Sequence, residues 1–170
     1  MRRTLAAPGL AAVLGMALLL TACGKTNAHN NTAGETVSTA LFDFSITDVS
    51  LVESYPGIDI PDGECLVRMR LNIKNTSSQT YTMFLQDFQI QWGDDDDDDA
   101  YDAPITYYGD AVSDDQLPEE YDLSVNEERT GLLVFEVPED SKDYSISYLE
   151  QFSNETEGDV FFVYFTAKDK

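Results

Sequence analysis

Histidine, cysteine and basic residues are scarce in this 170-residue chain, and each shortage argues against a class of function. The only histidine is His29 and the only cysteines are Cys23 and Cys65, so metal catalysis through His or Cys ligands has little support. Lys and Arg number 10 against 32 Asp and Glu, so the formal net charge is −22. A chain this acidic is repelled by phosphate backbones, and we exclude nucleic acid as a partner.

Catalytic motifs are lacking as well. The chain has neither a glycine-rich phosphate loop nor a Ser-x-x-Lys motif. Pairs of carboxylates can carry out glycosidic acid–base catalysis, but among 32 acidic residues such pairs arise by chance. We therefore predict that the protein is not an enzyme and requires no cofactor.

The N-terminal apolar run is short. Arg2 and Arg3 precede it, residues 10–20 form it, and Leu20-Thr21-Ala22-Cys23 closes it. A transmembrane anchor needs roughly 20 apolar residues. A basic start, a short apolar middle and a small-residue exit are instead typical of a secretory signal.

The end of this segment resembles the signal peptide of bacterial lipoproteins, in which the chain is cut before a cysteine that carries lipid. The resemblance implies a signal peptide over residues 1–22, cleavage between Ala22 and Cys23, and palmitate on Cys23. It also implies a location at the cell membrane, lipid-anchored on the extracytoplasmic face. A plain secretory signal that happens to end in cysteine is the alternative.

A polar segment follows the predicted cleavage site. Residues 24–38 are small, polar and aperiodic, which predicts a disordered tether over residues 23–38 with an end-to-end distance of about 20 Å. Because His29 falls within this tether, we expect no positioned imidazole. If Cys23 carries lipid, Cys65 has no disulfide partner, and its place in an apolar alternation predicts a small buried hydrophobe.

From about residue 39 apolar residues recur with period two. The clearest predicted strand alternates inward residues from Cys65 to Ile73 with polar ones, and a slip of the phase near Asp48 predicts a β-bulge. Residues 105–108 predict a short strand or strand-like loop. Residues 160–165 are apolar on both faces, which predicts a central, well-covered strand. The pattern indicates an all-β domain over residues 39–170, an immunoglobulin-like antiparallel two-sheet sandwich, with a small barrel as the alternative.

Three segments resemble a known family. They are the strand end Lys74-Asn75, the segment at residues 87–90, and the strand from Arg129 to Pro138 with its Gly-x-Leu-Val-Phe-x-Val-Pro pattern. Together they resemble secreted bacterial lipoproteins with an immunoglobulin-like sandwich of unknown function, related in fold to secreted immunoprotective antigens. The resemblance covers residues 41–167 and implies the fold, a surface location and a binding role. It implies no catalytic residue.

An acidic run is the sharpest local feature of the predicted domain. Residues 94–99 are six consecutive aspartates, and the alternate members Asp94, Asp96 and Asp98 can converge on one Ca²⁺ ion with weak affinity. The EF-hand pattern is not matched. The alternative is a solvated loop whose charges keep the sheet edge from pairing with other chains.

Tyrosines beside the acidic run are candidates for ligand binding. Tyr101, Tyr107 and Tyr108 can line a carbohydrate or peptide surface, or they can close a sandwich edge with their hydroxyls in water. We predict a membrane-anchored lipoprotein whose sandwich is a non-catalytic binding module for a protein or glycan. The alternative is a divalent-cation-dependent adhesion or solute-binding domain that uses the loop of residues 94–99.

Overall fold

The computed structural model describes residues 26–55, 57–93, 100–109, 113–152 and 156–168. Within them two short 3-10 helices, Leu85–Asp87 and Ile105–Tyr108, accompany eleven strands. The strands are β1 (Ala28–Thr32), β2 (Val37–Ser38), β3 (Phe42–Val52), β4 (Glu64–Asn75), β5 (Tyr81–Phe84), β6 (Phe88–Trp92), β7 (Tyr101–Asp102), β8 (Glu120–Leu123), β9 (Glu128–Pro138), β10 (Asp143–Gln151) and β11 (Glu157–Thr166).

The strands form two main sheets and a small third one. The five-stranded sheet has the order β1-β11-β10-β6-β7, the four-stranded sheet β2-β3-β4-β9, and β5 pairs with β8. Every pairing is antiparallel except that of β1 with β11. The predicted antiparallel two-sheet sandwich is confirmed.

Aromatic rings join the two sheets at the centre of the core. Phe44 of β3 meets Phe88 of β6 edge-on with ring centroids 5.5 Å apart, and Tyr148 of β10 lies 4.9 Å from Phe42 and 5.4 Å from Phe88. Such arrangements bury large apolar area and favour offset or edge-to-face geometry. Cys65 is buried in the same core, as its alternation predicts.

The phase slip near Asp48 is a β-bulge, as predicted. The register between β3 and β4 shifts between Thr47 and Ser50. Asp48 has a φ of 53°, the left-handed conformation that Asp tolerates better than most residues. The extra residue returns Leu51 to the inward-facing positions of β3, as the apolar alternation requires.

The disordered tether predicted over residues 23–38 is wrong from Ala28 onward. β1 pairs in parallel with β11, from Ala28 opposite Val160 to Thr32 opposite Tyr164. An edge strand whose two faces are exposed to solvent needs no apolar alternation, because its backbone hydrogen bonds hold it in the sheet. Its composition can therefore resemble that of a coil.

The expectation that His29 has no fixed position is also wrong. Its Nε2 lies 2.8 Å from Oδ2 of Asp159, and its ring stacks on Phe161 with centroids 4.8 Å apart. The backbone and side-chain nitrogens of Asn27 donate to Oδ1 of Asp159 at 3.1 and 2.9 Å. These contacts fasten the start of β1 to β11.

Residues 105–108 form a 3-10 helix in place of the predicted short strand or strand-like loop. Pro104 precedes the helix, and Gly109 ends it with a φ of 89°. Ile105 packs with Leu66 and Val134 on the outer face of the four-stranded sheet. The same small cluster is joined by Val52, Tyr55, Ile58 and Ile60, so part of that outer face is covered.

Candidate binding groove on the open sheet

The outer face of the five-stranded sheet carries a row of side chains that crosses all five strands. In each strand alternate residues point away from the core. The register places five outward residues side by side, in the order Tyr101 (β7), Gln91 (β6), Ser145 (β10), Tyr164 (β11) and Thr32 (β1). The two tyrosines therefore stand on opposite sides of a short serine.

A second row lies beside the first. Gln89, Ser147, Phe162 and Asn30 are opposite one another on β6, β10, β11 and β1. Along β11 the rings of Phe162 and Tyr164 are 6.1 Å apart and inclined by 29°, so they form one nearly continuous aromatic platform.

The first row, with Phe162 and Asn30 of the second, lines a groove of about 950 Å³, a volume within the usual range for ligand sites. Ser145 is 7% exposed, whereas Tyr164 and Tyr101 are 46% and 53% exposed, so the serine forms the floor and the rings rise at either side. Thr32 and Asn30 of β1 line the far wall. β1 is therefore part of the site.

Charged side chains are rare among the described residues that line the groove. Of these residues Asp143 alone is ionisable below neutral pH, and its Oδ1 accepts a hydrogen bond from Thr166 Oγ1 at 2.7 Å. In a chain of net charge −22, a described lining with a single carboxylate is unusual. The outer face of β4 differs sharply, since it carries Arg68, Arg70 and Lys74.

Amide and hydroxyl groups supply the polarity of the groove. Ser145 Oγ donates a weak bond to Gln91 Oε1 at 3.4 Å. The side chains of Gln91, Asn30 and Thr32 offer both donors and acceptors. Apolar walls with a few neutral polar groups bind and orient a ligand without acid–base chemistry.

The structure places only one of the three predicted tyrosines in this groove. Tyr101 lines it, whereas Tyr107 and Tyr108 belong to the 3-10 helix and are not among the lining residues. Tyr108 Oη donates to Asp102 Oδ1 at 2.6 Å. This hydrogen bond, with some burial, raises the pKa of Tyr108 to about 12.

Phe162 and Tyr164 are site candidates that the sequence reasoning missed. Their apolar run predicts a strand covered on both faces, and β11 does lie inside its sheet, between β1 and β10. The outer face of β11 has no such cover, since Tyr164 is almost half exposed. The signal available in the sequence was the presence of aromatic residues at the outward-facing positions of this strand.

Other predicted sites lie outside the described residues. These are Ala22 and Cys23 at the cleavage and lipidation site, and Asp94, Asp96 and Asp98 of the calcium loop. The part of the chain that the structure describes holds no group of three or more His, Cys, Asp or Glu residues arranged for a metal ion. It also holds no helix long and apolar enough to cross a membrane.

Solved structures resemble this fold at low sequence identity. A candidate lipoprotein of Bacillus subtilis, ycdA, is 18% identical with a TM-score of 0.56, over 79% of this chain and 39% of that protein. The yjhA protein of Bacillus subtilis is 14% identical with a TM-score of 0.49, over 82% of this chain and 99% of that one. An uncharacterized β-sandwich protein of Clostridium difficile is 12% identical with a TM-score of 0.46, over 84% and 97%.

The chain thus spans well under half of the ycdA protein, and that likeness shows the fold alone. No curated protein matches the chain. The family model described as a domain of unknown function, DUF4352, matches residues 32–159, which include every strand of the sandwich from β2 to β10. The chain therefore belongs to the DUF4352 family.

Proposed function

We propose that this chain is a lipid-anchored extracytoplasmic lipoprotein whose sandwich is a non-catalytic binding module, with the groove on the five-stranded sheet as its ligand site. The observation that carries the proposal is the chemistry of that groove. Tyr101, Phe162 and Tyr164 present aromatic surface in a concavity whose described lining residues include one carboxylate and no basic group, in an otherwise acidic chain. Exposed aromatic surface of this kind marks binding sites more often than it serves stability.

The position of the predicted anchor supports a role at the membrane surface. Cys23 and Asn27 are four residues apart, so an extended chain separates them by at most about 14 Å. Asn27 already donates two hydrogen bonds to Asp159 in the folded domain. A lipid on Cys23 would hold the domain close against the membrane, nearer than a tether of fifteen residues allows.

The side chains of the groove favour binding over catalysis. Asp143, the one carboxylate among the described lining residues, accepts a hydrogen bond from Thr166. A glycosidase of the usual kind needs two carboxylates across the scissile bond. Among the lining residues that the structure describes there is no second carboxylate and no histidine or cysteine.

The anchor is tested by Cys23→Ser in the natural host. The variant should lose palmitate labelling and leave the membrane fraction, because the acceptor sulfur is gone. The matched control is Cys65→Ser, which changes the other cysteine, buried in the core. It should keep the label. Continued labelling of Cys23→Ser would show that the anchor is wrong.

The binding face is tested by NMR on the mature chain with a cell-envelope preparation from the host. Amide signals of Gln91, Ser145 and Tyr164 should shift in a saturable manner, because these residues line the groove. Tyr164→Ala should abolish the shifts, and Tyr107→Ala should preserve them, since Tyr107 is exposed but lies outside the groove. Shifts confined to the outer face of β4, or no shifts, would refute this face as the site.

A further inference from the structure

We infer that the groove on the five-stranded sheet recognises an uncharged glycan chain. This inference rests on the proposed function, because it names the ligand class of the same groove. The supporting observations are the aromatic platform, the distance between the two tyrosines, and the lack of basic groups among the described lining residues.

The platform of Phe162 and Tyr164 suits the face of a sugar ring. A pyranose presents a flat patch of polarised C–H bonds on one face and hydroxyls around its edge. The C–H patch stacks on the negative face of an aromatic ring. The two rings of the platform, 6.1 Å apart and inclined by 29°, offer a contact surface wider than one side chain.

Tyr101 extends the contact surface across the sheet. Three strand spacings separate Tyr101 on β7 from Tyr164 on β11, a distance of roughly 14 Å at the usual spacing between neighbouring strands. A short oligosaccharide that lies across the strands can therefore touch both rings. Gln91 and Ser145 stand between them, where the amide and hydroxyl can bond the ring hydroxyls of the sugar.

The charge distribution selects an uncharged chain. Acidic polysaccharides are repelled by a protein of net charge −22, and the groove has no basic residue among its described lining residues. A strongly cationic ligand would find Asp143 as the only carboxylate among those residues. A neutral, hydroxyl-rich polymer incurs neither the repulsion nor an unpaired charge.

The position of the groove favours a glycan over a peptide strand. Extended peptides are commonly recognised at the edge of a sheet, where free backbone groups pair with them. This groove lies on the face of the sheet, where the backbone groups of β6, β10 and β11 already pair with neighbouring strands. The groove therefore presents side chains, and among the described ones Asp143 alone is charged.

The test is affinity electrophoresis of the mature chain, from residue 23 with serine in place of Cys23, in native gels that contain polysaccharide. The probes are uncharged glucans, mannans and glycol chitin, with alginate as the anionic comparison. At least one uncharged polymer should retard the protein, and alginate should not. Tyr164→Ala and Tyr101→Ala should each weaken the interaction about tenfold or more.

Two controls keep the result interpretable. Tyr164→Phe retains the ring and should keep most of the affinity, and Tyr107→Ala should behave as the parent chain. Thermal melts of all variants establish that they fold, which the exposure of these tyrosines leads us to expect.

Several outcomes would overturn the inference. Retardation by alginate equal to that by the uncharged polymers would remove the charge selection. If no polysaccharide binds while envelope protein shifts the groove signals in NMR, the ligand is a protein; the glycan inference then fails and the proposed binding site stands. If Tyr164→Ala converts a ligand-free dimer to a monomer, the face is a self-association surface. If the cell-envelope preparation does not shift the groove signals in NMR either, the proposed function fails with the inference.

Discussion

Replacing Asn75 by alanine should destabilise the domain more than any change of an outward-facing polar residue on the same strand. Asn75 ends β4 and is fully buried. Its Nδ2 donates to the carbonyl oxygens of Gln79 at 2.7 Å and Leu123 at 2.9 Å. Its Oδ1 accepts from the backbone N–H of Ser77 at 2.9 Å and from its hydroxyl at 2.8 Å. One amide therefore connects β4, the turn after it and β8.

The magnitude follows from these four hydrogen bonds. The three bonds to Gln79 and Ser77 contribute about 1 kcal/mol net each, and loss of the bond to the buried carbonyl of Leu123 costs about 1–3 kcal/mol. We expect a total loss of about 4–6 kcal/mol in the free energy of unfolding. For a domain of this size that lowers the Tm by roughly 10–20 °C.

The assay is urea unfolding of the mature chain, with thermal melts beside it. The matched control is Asn72→Ala, three residues earlier on the outer face of β4. The bonds from Asn72 Nδ2 to Ser45 and Thr47 are long, 3.4 and 3.3 Å, and the one accepted from Thr130 is exposed. Asn72→Ala should cost about 1 kcal/mol or less. Equal losses for the two variants would refute the role assigned to Asn75.

Three further predictions concern packing, pH and calcium. Gly131→Ala should cost about 1–3 kcal/mol in urea unfolding, because a Cβ at this position would lie 2.6 Å from Leu117 Cγ; an unchanged midpoint would show that the loop moves away freely. Asp87→Asn should raise the Tm at pH 7, because burial raises the pKa of the Asp87 carboxyl and the folded state there carries a disfavoured charge. Protonation of the Asp87 carboxyl favours folding, fully so below its unfolded pKa of about 3.9, and that contribution is lost as pH rises through the folded pKa. The gain in Tm from Asp87→Asn should therefore vanish below about pH 4. A gain in Tm that does not depend on pH would contradict this cause. Calcium, but not magnesium, should raise the Tm saturably, by about 3–6 °C at tenfold saturation, if residues 94–99 hold a site; equal unsaturable rises with both ions would mean screening only.

The fold was largely predictable because the sandwich depends on local alternation. Each inward residue of β4 from Cys65 to Ile73 is buried, as period two requires, and the slip at Asp48 is the bulge. β1 was not predictable by the same rule. Its sequence, Ala28 to Thr32, shows no apolar face, and what holds it is a partner 132 residues away along the chain.

The candidate site was predictable only in part, because the register between strands brings its residues together. Tyr101 was chosen for its neighbourhood in the sequence, and so were Tyr107 and Tyr108, yet the structure brings only Tyr101 to the groove. Tyr164 joins it because β11, β10 and β6 align Tyr164, Ser145 and Gln91 in one row. No single strand carries that information.

The segments that carry the family resemblance in the sequence explain the fold of this chain better than its function. Asn75, from the first segment, saturates its hydrogen bonds inside the domain. Gly131, from the third, lets Leu117 approach the backbone of β9, where Leu117 N–H donates to the carbonyl of Leu132 at 3.1 Å. Packing and hydrogen bonds within the sandwich account for both residues, so they support the scaffold and say nothing of the ligand. The outward-facing residues Tyr164 of β11 and Tyr101 of β7 have no such role inside the sandwich. They expose about half of their surface to solvent, at some cost in solubility. Function in this chain is therefore best sought where a side chain's type is not required by the fold, which is the groove.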